Sequence, residues 1–88
     1  MKWKINYSRD AKKFIERENI REEIREALAK FLKRTKGEDI NVDVKKLRGS
    51  WKGYYRIRKG RLRLIFDVDY KGSSLFIEKI DFRGEAYK

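Results

Sequence analysis

Residues 54–68 read YYRIRKGRLRLIFDV. Tyr55 and Ile57 alternate with Tyr54, Arg56 and Arg58, and beyond Lys59-Gly60 the residues Leu62, Leu64, Phe66 and Val68 alternate with Arg61, Arg63, Ile65 and Asp67. A period of two on both sides of a glycine-containing turn specifies a β-hairpin. The alternation sets Arg56 and Arg58 on one strand, and Arg61 and Arg63 on the other, on the face opposite Ile57, Leu62 and Leu64. No carboxylate is expected on that face before Asp67, so the four guanidinium groups repel one another unless an anion compensates them. Arginine suits phosphate in that role, because its planar fork makes paired hydrogen bonds to phosphate oxygens.

Downstream, a turn at residues 71–74 leads to a third strand, Leu75 to about Phe82, whose two faces are both mixed, so parity does not assign its core side. At the N-terminus, Trp3, Ile5 and Tyr7 alternate with Lys2, Lys4 and Asn6 as in a half-buried strand. Ser8 is a candidate N-cap for a short helix carrying Ala11, Phe14 and Ile15 and ending near Arg17. Asn19 is expected to cap a second helix in which Ile20, Ile24, Ala27, Leu28, Phe31 and Leu32 recur at helical spacing. That helix should end near Lys36, with Gly37 as its stop. The order β-α-α-β-β-β describes an α+β domain, with two N-terminal helices packed on one face of an antiparallel sheet. Residues 1–88 form one such domain, expected to bury roughly 60–65% of the surface its unfolded chain exposes.

The net charge of +11 is regional. Nine basic and no acidic residues lie between Lys45 and Arg63, interleaved with Trp51, Tyr54 and Tyr55, whereas ten basic and eight acidic residues nearly cancel between Ser8 and Asp39. A concentrated basic stretch with aromatics is the footprint of a polyanion partner, with nucleic acid the first candidate. With neither Cys nor His, the chain offers no disulfide and no zinc or copper ligand set, and no metal or other cofactor is expected. It has no apolar run of 18 residues, so no membrane association is expected, and it reads as cytoplasmic.

The segment KKLRGSWKGYYRIRKGRLRLIFDV (45–68) and the closing IDFRGEAY (80–87) resemble the RelE/ParE superfamily of toxins from toxin–antitoxin pairs. The likeness centres on Leu47 to Phe66 and on Ile80, Arg83 and Tyr87, and the expected element order is also that of the RelE-like microbial RNase fold. Within the superfamily, the RelE-type branch cleaves mRNA in the ribosomal A site without metal, the ribose 2′-oxygen attacking the adjacent phosphate. The resemblance implies that Arg63 stabilises the transition state, that Arg83 contacts the scissile phosphate or serves the leaving group, and that Tyr87 stacks on a base or takes a proton. Arg56 and Arg58 stand where the branch often has lysines. Arg48 and Arg61 are implied as general phosphate contacts, and Lys45, Lys46 and Lys52 of the basic stretch are expected to contact RNA with them. Implied partners are a cognate antitoxin, the ribosome and mRNA. One well-placed donor at such a transition state is commonly worth about 3–4 kcal/mol.

Two departures stand out. Phe82 occupies a position that is often His in the superfamily, and Arg56 and Arg58 hold their protons too firmly to act as general bases. The readings that compete with an mRNA-cleaving toxin are a ParE-type inhibitor of DNA gyrase and a catalytically weak RNA-binding or ribosome-binding module of the same fold. Trp3, Phe14, Phe31 and Phe66 read as core, and Tyr55 as the core member of the aromatic trio. The chain ends one residue after Tyr87, so no long C-terminal helix is expected to follow it.

Overall fold

The computed structural model describes residues 3–82. Strand β1 (Lys4–Tyr7) leads into helices α1 (Arg9–Glu18) and α2 (Arg21–Thr35). Strand β2 (Asp43–Lys46), a single 3-10 turn (Gly49–Trp51) and strands β3 (Tyr55–Lys59), β4 (Leu62–Asp69) and β5 (Ser74–Phe82) follow. The five strands form one sheet in the order β1-β5-β4-β3-β2. The expected α+β arrangement is therefore present, with two differences. The polar connection before the hairpin contains a further strand, and β1 runs parallel to β5, so the sheet is mixed. β2 escapes a periodicity reading because Asp-Val-Lys-Lys offers one apolar side chain; as an edge strand, its charges also discourage pairing with another chain.

Both helices pack on one face. Ile24, Ala27, Leu28 and Phe31 of α2 join Ala11 and Ile15 of α1 against Ile57, Leu62, Leu64, Phe66, Leu75, Ile77 and Ile80 of the sheet. Phe31 meets both Tyr55 and Phe66, with ring centroids 5.5 and 5.0 Å away, and those two rings stack at 5.8 Å, so Tyr55 does turn toward the core. Complete burial of a side chain such as Phe66 contributes about 1.5–3 kcal/mol. Among the described residues no polar or charged residue is fully buried.

The helix boundaries refine the sequence reading at one position. Asn19 does not cap α2; it closes α1 in the left-handed conformation (φ 55°, ψ 51°), its N–H donating to the carbonyl of Ile15. Asn tolerates that conformation better than most residues. α2 then starts after Ile20 with no side-chain cap, and Glu22 and Glu23 in its first turn interact favourably with the helix dipole. It ends at Thr35, and Gly37 (φ 95°) turns the chain away as expected.

One irregularity positions the functional surface. Ile65 faces Lys79 across β4 and β5, but the next residue, Phe66, faces Ile77, leaving Glu78 as the extra residue of a β-bulge. Leu75 and Ile77 point to the core before the bulge, and Ile80 does so after it. That switch of parity is why both faces of this strand look mixed in sequence. Ser8 ties α1 to the bulge: its Oγ accepts from the Ala11 N–H at 3.1 Å and donates to the Glu78 carbonyl at 2.7 Å, while its own N–H donates to the Ile77 carbonyl at 2.9 Å.

Candidate nucleic-acid interface

The face of the sheet away from the helices carries two rows of side chains running across the strands. In one, register aligns Lys45 (β2), Arg56 (β3), Ile65 (β4) and Lys79 (β5). In the other it aligns Asp43, Arg58, Arg63 and Asp81. Neighbouring strands are about 4.8 Å apart, so each row spans roughly 14 Å. Arg56, Arg58 and Arg63 are thus brought together, with Lys45 beside them. The expectation that no carboxylate before Asp67 shares this face is corrected: Asp43 arrives on the unread strand β2, and Asp81 joins because the Glu78 bulge flips the end of β5.

The two carboxylates do not neutralise the face evenly. Asp81 holds Arg63 in a two-pronged ion pair, with Nε–Oδ1 and Nη2–Oδ2 both 2.8 Å and the side chains only 14% and 18% exposed. Asp43 reaches Arg56 Nη2 at 3.4 Å, a long and weak contact made from an exposed position. The Arg58 side chain makes no hydrogen bond or ion pair among the described residues. Moreover, Nε of Arg56 and Nε of Arg58 are both buried without an acceptor. A buried donor left unpaired costs about 1–3 kcal/mol, and more when it is charged. Two such donors side by side form a site that an oxyanion would stabilise.

At the β2 end, Lys45, Lys46, Leu47, Arg48 and Arg56 line an open cleft of about 600 Å³. Four of the five are cationic, so this cleft gathers three of the residues expected to contact an RNA backbone with one of the arginines from the rows. The loop from Leu47 to Tyr54 is closed by the Leu47 N–H donating to the Tyr54 carbonyl at 2.9 Å. It reaches far enough for Trp51 to line a second cleft, of about 520 Å³, with α1 and with residues 78–80 of β5.

Other expected contacts lie elsewhere. Arg61 is not on the arginine face: Gly60 (φ 60°) and Arg61 form the two-residue loop between Lys59 and Leu62, and the Arg61 guanidinium lies over the Phe82 ring, 5.5 Å from its centroid. The alternation of β4 begins one residue later than counting from the turn suggests. Lys52 is exposed on the turn after Trp51. Arg83 and Tyr87 lie outside the described residues. Phe82 packs against Phe14 at 5.2 Å, on the helix side of the sheet. Lys59 turns to the same side and pairs with Glu26 of α2, holding that carboxyl below the usual carboxylate range. Among the described residues no three His, Cys, Asp or Glu side chains gather to hold a metal. Among the described residues no helix is long and apolar enough to cross a membrane.

Compared by sequence, the chain matches no protein-family model and no curated protein. Compared by structure, it is similar to the RelBE toxin–antitoxin complex of Mycobacterium tuberculosis, with a TM-score of 0.68 and 20% identity over 94% of this chain and 100% of that one. It is similar to the archaeal RelE–RelB complex of Pyrococcus horikoshii, with a TM-score of 0.64 and 25% identity over 96% and 98%. A third likeness is to YafQ of Escherichia coli, with a TM-score of 0.60 and 17% identity over 99% and 100%. The fold matches that of the RelE-like toxins, as the resemblance in sequence implies.

Proposed function

We propose that this chain is the toxin of a type II toxin–antitoxin pair, and that it cleaves mRNA in the ribosomal A site. The observation that carries the reading is the pair of buried, unpartnered Nε donors on Arg56 and Arg58, next to Arg63, at the edge of a basic cleft. A phosphate would satisfy these donors. The fold supports the reading, since its neighbours include toxins solved with their antitoxins. The cognate antitoxin is the expected partner, an acidic segment being suited to cover the arginine rows. A ribosome-dependent activity implies the cytoplasm as its compartment.

The chemistry follows from the demands of the reaction. The ribose 2′-oxygen attacks phosphorus, a bond forms between them, and the bond to the 5′-oxygen breaks. The 2′ proton leaves to a base, and the 5′-oxygen receives a proton. Extra negative charge accumulates on the non-bridging oxygens midway, and fixed cations facing them lower the barrier without reorganising. Arg56 and Arg58 bind and orient the phosphate, and Arg63 faces the developing charge, its guanidinium held by Asp81. Lys45, Lys46 and Arg48 hold the RNA backbone on the β2 side. Arg83 and Tyr87 serve the leaving group and the proton, as the resemblance implies. The chain has no His, so its proton transfer is slow on free RNA and depends on the ribosome to distort the substrate.

The test is a cell-free translation reaction given the purified protein or its Arg58→Ala variant. Arrest with shortened mRNA, relieved in Arg58→Ala, is the expected result. Arrest with intact mRNA would make the chain a ribosome-binding module. Full translation, with loss of supercoiling in a parallel gyrase assay, would assign it to the gyrase-directed branch.

A further inference from the structure

The second cleft has features that phosphate binding does not use. β1 ends at Tyr7, opposite Ile77, so from Glu78 onward β5 has no strand on that side. The space beside it is walled by the Trp51 indole and by Phe14 of α1. Both rings are held. Tyr54 meets Trp51 edge-on at 5.3 Å, and Phe14 is backed by Phe82 at 5.2 Å, with the Arg17 guanidinium over its ring at 5.1 Å. Lys13 and Lys79 also line the cleft and make no ion pair among the described residues. Glu78 and Asp10 supply carboxylates. A flat aromatic wall, ammonium groups without an ion pair among the described residues and hydrogen-bond acceptors for base edges together match a nucleotide, and about 520 Å³ falls in the range of small-ligand sites.

Position strengthens the match. Lys79 ends the same cross-strand row that begins at Lys45 and passes through Arg56, roughly 14 Å across. A single strand of RNA held by the basic cleft and lying along this row would carry its next unstacked base beyond β5, into the cleft at Trp51. We infer that this cleft is a base-stacking subsite for single-stranded RNA, with Trp51 as the platform and Lys79 on the adjoining phosphate. The inference rests on the RNA-binding reading above and adds to it a second contact point on the far side of the reacting phosphate.

Trp3→Phe leaves Trp51 as the one tryptophan of the chain, so its emission reports the cleft directly. This protein is titrated with a short single-stranded RNA and with the same oligonucleotide lacking bases at successive positions. The expected result is quenching by the intact RNA, lost when one particular base is missing. Trp51→Ala should raise Kd about 5- to 150-fold with an unchanged salt slope, and Trp51→Phe should recover most of the affinity. Lys79→Ala should instead flatten the salt slope by about 0.7. Tight RNA binding with unquenched Trp51, and no change in Trp51→Ala, would overturn the subsite while leaving the RNA-binding reading intact. Absence of RNA binding at low salt would overturn both.

Discussion

Asp81→Asn separates what holds the arginine face together from what it binds. The carboxylate makes two 2.8 Å hydrogen bonds to Arg63, and both side chains are more than four-fifths buried. A hydrogen bond to a charged group nets about 1.5–3 kcal/mol, and breaking a buried pair outright costs about 3–5 kcal/mol. Asn keeps the shape and one acceptor but loses the charge, so a loss of about 2–3 kcal/mol is expected. For a domain of this size each kcal/mol moves Tm by about 4–8 °C, giving a fall of about 8–24 °C in calorimetry. Affinity should change in the opposite direction. Removing a carboxylate from the open face should tighten RNA binding and steepen its salt slope by about 0.7. A variant as stable as the parent would refute the ion pair as a structural tie. A variant that loses both stability and affinity would show that Asp81 serves RNA binding by holding Arg63 in place, and that it does not compete with phosphate.

Arg58→Met removes a buried unpartnered Nε, so it should raise stability in urea by about 1–3 kcal/mol while weakening RNA binding, the trade expected where a site is strained for function. Ser8→Ala removes both the cap of α1 and the hydroxyl on the Glu78 carbonyl; a loss of about 1–3 kcal/mol, with an unchanged m-value and faster amide exchange around the bulge, is expected. Glu26→Gln tests the pair with Lys59. Because the folded-state pKa is lowered, the pair's contribution is present above the unfolded value of about 4.3 and is lost as pH falls through the folded one. Acid titrations of parent and variant should therefore differ near neutrality and converge below that range.

The hairpin was legible because its two faces differ so sharply: Ile57, Leu62, Leu64 and Phe66 are buried while arginines alternate with them. The helices were legible from the same contrast at a period of 3.6. Alternation fails where geometry departs from a plain strand. β2 is too short and too charged to carry a pattern, and Glu78 shifts the parity of β5, so alternation alone places neither Asp43 nor Asp81 on the arginine face. Arg61 was assigned to that face by continuing the alternation into a two-residue turn. Asn19 suits either end of a helix, and only the backbone conformation distinguishes capping α2 from closing α1. The cleft at Trp51 depends on a loop meeting α1 and β5, a contact between distant segments that no local pattern encodes.

Primer-extension mapping of an mRNA incubated with the purified protein, with and without programmed ribosomes and beside Arg63→Ala, tests the account most directly. Cuts that require the ribosome, fall within the A-site codon and fade by about 100-fold or more in Arg63→Ala are the predicted result. Intact mRNA at saturating ribosome binding would contradict it.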